Sequence, residues 1–174
     1  MAVFALVDAN NFYATCEKIF QPRLRNMPVV VLSNNDGCIV ARSAEAKALG
    51  IPMGAPIHEW KGFCLHHGVV IKSSNYVLYG DMSARMLGIL QEHSPDVESY
   101  SIDESFIGLD GFDLLTERGR QMRTDVQRRI HITCGVGIGP SKTLAKFANH
   151  IAKKHCEYGG VFNTLDHPQE HIDQ

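Results

Sequence analysis

Asp103 and Glu104 stand side by side where two apolar, strand-like runs, residues 97–102 and 106–109, meet, and a third carboxylate, Asp8, ends another such run. Three convergent carboxylates can hold two divalent cations about 3.5–4 Å apart, the arrangement that clamps the attacking and leaving oxygens of an in-line phosphoryl transfer. Adjacent charges in a hairpin turn are also what an ordinary solvated turn looks like. The chemistry therefore requires that the strand ending at Asp8 lie beside the hairpin that carries Asp103 and Glu104.

The elements that would have to arrange this are readable as periodicities. Residues 3–7 are a continuous apolar run of strand length, and Asn10 or Asn11 can cap the helix that follows, with Phe12, Cys16, Ile19 and Phe20 toward the core and Pro22 as its stop. Residues 28–32 form a second buried strand, Asn34-Asn35-Asp36-Gly37 a turn, and residues 38–41 the returning strand of a hairpin. A short helix over 43–49 ends at Gly50, and a Pro/Gly-rich connection leads to a strand at 69–71. A long helix over 75–93 carries Tyr79, Met82, Met86 and Leu90 on one face, a spacing that suits a core stripe. After the 97–109 hairpin come a helix over 112–130, a strand over 132–138 and a last helix over 140–155. Strands and helices alternating in this way suit an α+β fold, and a ferredoxin-like palm would bring Asp8 to the Asp103–Glu104 tip. Such sheets serve polymerases, cyclases and plain binding modules alike, so motifs must decide.

Composition bounds the answer. The chain has 174 residues, 44% hydrophobic and 21% charged, as expected for an ordinary globular unit. No run approaches the roughly 18 apolar residues of a membrane span, and residues 2–7 are too short and lack a basic leader for a signal peptide. A cytoplasmic location is expected. Five cysteines without framework spacing suit reduced, buried thiols. The net charge of −2 argues against a self-sufficient grip on nucleic acid. Cys64-Leu-His66-His67 and His155-Cys156 lack the ligand spacing of a structural zinc site. Gly135-x-Gly137-x-Gly139 is not followed by the acidic residue of a dinucleotide fingerprint, so closely packed strand glycines leading into a helix are the better reading.

Three motifs, Asp8-Ala-Asn-Asn-Phe-Tyr13, Ser101-Ile-Asp-Glu104 and Gly135-Val-Gly-Ile-Gly-Pro-Ser-Lys-Thr-Leu-Ala-Lys146, resemble the palm signatures of the Y-family translesion DNA polymerases, in the same order and spacing. Residues 32–50 and Ser73-Ser-Asn-Tyr76 are similar to the UmuC branch of that family, the catalytic subunit of bacterial DNA polymerase V. The resemblance covers residues 3–162. It implies a palm of residues 1–10 and 75–163, a small inserted fingers subdomain of residues 11–74, and a polar tail at 164–174. Nothing after Asn163 resembles the family's thumb and little finger, so palm and fingers alone are expected, with little primer extension unless a thumb is supplied in trans.

The resemblance further implies template-directed, Mg²⁺-dependent nucleotidyl transfer in error-prone translesion synthesis, DNA repair and the SOS response. Asp8, Asp103 and Glu104 would be the catalytic carboxylates and bind two Mg²⁺ ions, with the Ala9 carbonyl as a backbone ligand; hard oxygen donors are what Mg²⁺ prefers. Tyr13 would be the steric gate against a ribose 2′-hydroxyl, with Phe12 stacked beside it or simply buried. Lys47 and Lys153 would contact the triphosphate. Archaeal members carry Tyr-x-x-Arg where this chain has Ala44-Glu-Ala-Lys47, a departure shared by the UmuC branch. Arg42 and Lys142 receive no role. Primer–template DNA and dNTP would be the substrates, and a UmuD-like subunit, RecA and the sliding clamp the partners. A catalytically silent fragment that binds those partners is the alternative reading. A nucleotidyl cyclase has no use for Tyr13 or the fingers insert.

Overall fold

In the computed structural model, which describes residues 1–167, the chain begins with β1 (Phe4–Ala9), α1 (Phe12–Ile19), β2 (Val29–Leu32) and β3 (Ile39–Arg42). It continues through α2 (Ala44–Ala48), α3 (Ile57–His66), β4 (Val70–Lys72) and α4 (Tyr76–Gln91). The remainder is β5 (Val97–Ser99), β6 (Glu104–Gly108), α5 (Leu115–Ile130), β7 (Cys134–Gly139), α6 (Lys142–Lys154) and β8 (Val161–Asn163). Two compact units result, one of Met1–Asn10 with Met82–Gln174 and one of Asn11–Asp81, the boundary falling inside α4.

The first unit is built on a five-stranded sheet in the order β5-β6-β1-β7-β8. Its β7-β1-β6-β5 part is antiparallel throughout, and the chain path β1-α4-β5-β6-α5-β7 makes it ferredoxin-like. β8 extends the sheet by pairing parallel to β7, and α6 is the crossover that this parallel step requires. β1 lies at the centre, where Ala5, Leu6 and Val7 are fully buried, which explains an apolar run without polar alternation. Helices α5 and α6 both pack on β7, and Ala145 of α6 closes over Leu6 and Phe106. Burial of a side chain the size of Leu6 or Phe106 contributes about 1.5–3 kcal/mol.

The second unit holds a three-stranded sheet, β3-β2-β4, with β2 antiparallel to β3 and parallel to β4. Val30, Leu32, Ile39, Ile51, Cys64 and Val69 form its core, against which Trp60 and Phe63 pack.

Several expectations are corrected. Residues 57–66, read as part of a connection, form α3, because Ile57, Trp60, Phe63 and Cys64 recur on one helical face behind the Pro/Gly signals. Phe20, expected in the core, is 57% exposed, because α1 ends at Ile19 and the chain turns away. Glu17, on the same helix, is buried instead and accepts a hydrogen bond from Tyr79 Oη at 2.9 Å. Asn11 precedes α1 in the left-handed region (φ 49°) without a side-chain cap. α5 starts at Leu115 rather than 112, because Leu114 adopts φ 54° and breaks the helical path. β8 is an addition to the expected elements, its three residues being too few to signal a strand. Cys156 is exposed and Cys38 half-buried, while Cys16, Cys64 and Cys134 are buried; all five are free. Of the polar tail at 164–174, the part after His167 lies outside the described residues. Among the described residues no helix is long and apolar enough to cross a membrane.

Candidate active site

The register of β1 against β6 places Asp8 directly opposite Glu104. Ala9 N donates to the Asp103 carbonyl at 2.9 Å, which ties the hairpin tip to the end of β1. Asp8, Ala9, Asp103 and Glu104 are thus drawn together at one end of the central strand pair. Cross-strand neighbours at such a position stand roughly 4.5–5.5 Å apart at Cβ.

Ser101 organises the tip. Its hydroxyl donates toward Asp103 Oδ1 at 2.9 Å and Glu104 Oε2 at 3.1 Å. One hydroxyl proton cannot fully serve two ionised carboxylates, since each only accepts. Accordingly, the Asp103 carboxyl is held above the usual range, first by burial and then by the charges of Asp8 and Glu104, with the Ser101 bond opposing them. Cations from α6 offset part of the negative charge: Lys153 Nζ lies 2.6 Å from Asp8 Oδ2, and Lys146 Nζ lies 3.6 Å from Glu104 Oε1. Among the described residues no three acidic, histidine or cysteine side chains are already drawn around a single metal centre. The donor set nevertheless suits a hard divalent cation. It consists of oxygens only, and a half-buried carboxyl crowded by two others is relieved by added positive charge.

α6 reaches this site because β7 lacks side chains where the two elements meet. A Cβ at Gly137 would lie 2.0 Å from Asn149 N and 2.2 Å from the Ala145 carbonyl oxygen. The strand glycines are therefore packing devices, as their spacing suggested. Ser141 caps the helix by accepting from Leu144 N at 3.2 Å. Along α6, Asn149 Nδ2 donates to Asp8 Oδ2 at 3.0 Å, one turn before Lys153. Lys146 also lies over the ring of Tyr100, 4.7 Å from its centroid. Ser101, Lys146 and Asn149 are site residues to which the motifs assign no role. The available signals were the two-residue step from Ser101 to Asp103 and the four-residue step from Asn149 to Lys153.

Phe12, Tyr13 and Lys47 belong to the second unit. Tyr13 stacks on Tyr79 with ring centroids 4.3 Å apart and planes 15° apart, and Tyr76 meets both rings edge-on. The Glu17 bond pins Tyr79, whose hydroxyl is pushed well above its ordinary pKa, chiefly by burial. Tyr13 is half-buried on this support, whereas Phe12 is buried. Lys47 is exposed on α2, a helix capped by Ser43. Arg42 donates to the Ile51 carbonyl at 2.7 Å, a structural contact, and Lys142 pairs with Glu98.

A profile of the impB/mucB/samB family matches residues 7–150. Protein UmuC of Salmonella typhimurium strain LT2 is 56% identical over 87% of this chain, and protein SamB of Salmonella typhimurium is 47% identical over 99%. The chain spans 37% and 41% of the lengths of those two relatives. The solved Y-family DNA polymerase chimera Dbh-Dpo4-Dbh superposes with a TM-score of 0.81 at 26% identity, covering 94% of this chain and 49% of that one. Sequence and fold agree over nearly the whole length, and the chain belongs to the impB/mucB/samB family of Y-family DNA polymerases.

Proposed function

We propose that this chain is the palm and fingers portion of a UmuC-branch polymerase that carries out template-directed, Mg²⁺-dependent nucleotidyl transfer in translesion synthesis. The observation that carries the reading is the register of β1 and β6, which sets Asp8 opposite Glu104 with Asp103 fastened beside them. The division into two compact units at Asn10/Asn11 and Asp81/Met82 supports a palm and a fingers subdomain, assigned in this reading to residues 1–10 with 75–163 and to residues 11–74.

In this reading Asp8, Asp103, Glu104 and the Ala9 carbonyl hold two Mg²⁺ ions. Those ions supply activation of the primer 3′-hydroxyl and neutralisation of the triphosphate and leaving pyrophosphate. Lys153 and Lys47 provide mobile point charges for the triphosphate. Tyr13 acts as the steric gate that rejects a 2′-hydroxyl, its ring held by the stack on Tyr79. Phe12 supports the gate from the core of the second unit. Primer–template DNA and dNTP are the substrates. A UmuD-like subunit, RecA and the sliding clamp are the partners the family suggests, in the cytoplasm during the SOS response.

Electron paramagnetic resonance of Mn²⁺ with the intact chain and with Asp103→Ala tests the reading. Saturable Mn²⁺ binding that disappears in the variant supports it. Binding that persists unchanged in Asp103→Ala overturns it.

A further inference from the structure

We propose that Asn149 is a positioning residue that fixes the Asp8 carboxylate for metal binding while leaving its charge intact; the proposal rests on the reading of Asp8, Asp103 and Glu104 as a divalent-metal site. Two donors from α6 converge on one oxygen, Asp8 Oδ2: Asn149 Nδ2 at 3.0 Å and Lys153 Nζ at 2.6 Å. They differ in kind. An ammonium group neutralises the carboxylate and competes with an incoming cation, whereas a neutral amide fixes the carboxylate plane and keeps its attraction for the cation.

The fold carries Asn149 at a cost. The residue is 4% exposed, and its Oδ1 is buried without a hydrogen-bond partner among the described residues. An unsatisfied buried acceptor destabilises the folded state, and a leucine of similar size would not incur that loss. Packing alone therefore does not account for an asparagine at this position. The Nδ2 bond to Asp8 does.

The opposite strand makes room for the arrangement. A Cβ at Gly135 would stand 2.6 Å from Asn149 Oδ1 and 3.2 and 3.3 Å from Cγ and Cε of Lys153. Any larger residue would displace both donors. When Lys153 turns to a triphosphate, Asn149 is the donor left to hold Asp8 in place.

The test measures Mn²⁺ dissociation constants for the intact chain, Asn149→Leu, Asn149→Ala, Lys153→Met and Asp103→Ala, with metal-free melting temperatures for each. Loss of an outer-shell donor weakens metal affinity by about 10–100-fold, and that loss is expected in Asn149→Leu with a melting temperature equal to or above that of the intact chain. Lys153→Met is expected to act oppositely and tighten binding by up to about fivefold, the size of a partly exposed ion pair. Opposite signs for two neighbours on one helix are not produced by a general packing defect. If Asn149→Leu does not fold, Asn149→Ala, which cannot overpack, carries the same expectation. Intact-like Mn²⁺ affinity in the folded Asn149 variant, or weaker binding in Lys153→Met, overturns the proposal. Failure of the intact chain to bind Mn²⁺ in an Asp103-dependent way overturns the metal-site reading as well, so the two failures are told apart.

Discussion

Replacing Gly137 by alanine should separate α6 from β7 and loosen the contacts on Asp8. The added Cβ would lie 2.0 Å from Asn149 N, 2.2 Å from Ala145 O and 2.6 Å from Asn149 Cα, where ordinary contact begins at 3.4 Å. The helix must therefore withdraw by about 1.4 Å, the difference between 3.4 and 2.0 Å. All three obstructing atoms are backbone, so no rotamer change relieves them. Overpacking costs about 1–3 kcal/mol and sometimes more, and a backbone clash belongs at the upper end. At about 2–4 °C per kcal/mol for a chain of this size, a loss near 3 kcal/mol lowers the melting temperature by about 6–12 °C. A shift of that length also stretches the 3.0 Å Asn149–Asp8 and 2.6 Å Lys153–Asp8 contacts past hydrogen-bonding range. Calorimetry would be run beside Gly88→Ala, an exposed α4 position whose Cβ meets nothing within 4 Å and which should gain about 0.5–1 kcal/mol. A Gly137→Ala chain that melts within a degree of the intact chain would refute the close-packing argument.

Asp103→Asn should stabilise the metal-free chain at neutral pH. The folded carboxyl lies above its ordinary 3.8, so the folded state holds the extra proton and the intact chain loses stability as pH rises from about 3.8 through the raised value. The advantage of the variant should therefore shrink in acid, and a difference independent of pH would contradict the electrostatic cause. Ser43→Ala removes an oxygen that accepts from both Val29 N at 2.9 Å and Ala46 N at 3.3 Å. Two buried amides lose their partner, and a loss of about 1–3 kcal/mol should appear in urea unfolding; a change below about 0.5 kcal/mol would show that water replaces the hydroxyl. Tyr13→Ala should bring the melting shifts given by dNTP and rNTP close together. A preserved preference for dNTP would remove Tyr13 as the gate.

Much of the fold was legible because its signals are local. The unbroken apolar run of β1, the Tyr79-Met82-Met86-Leu90 stripe of α4 and the glycine spacing of β7 all correspond to buried positions or close packing. α3 and β8 escaped notice for opposite reasons, one masked by flanking prolines and glycines and the other too short to show a period. The burial of Glu17 and exposure of Phe20 invert hydropathy, and the Tyr79 hydroxyl accounts for the first. In the site, the carboxylates carried their own signal. Asn149 offered only its four-residue step to Lys153, because its hydrogen bond to Asp8 spans 141 residues and is fixed by tertiary register, whereas the bond from Ser101 to Asp103 is local and spans two residues.

The proposed function assigns metal binding to these carboxylates and deoxynucleotide selection to Tyr13. Thermal unfolding with Mg²⁺ plus a dNTP, against Mg²⁺ plus the matching rNTP, in the intact chain and in Asp103→Ala, addresses it most directly. Ligand at about 100 times its dissociation constant adds about 2.7 kcal/mol, or several degrees. The predicted result is a dNTP-selective rise in the intact chain that vanishes in Asp103→Ala. Equal shifts for dNTP and rNTP, or a dNTP shift that survives in the variant, would contradict the account.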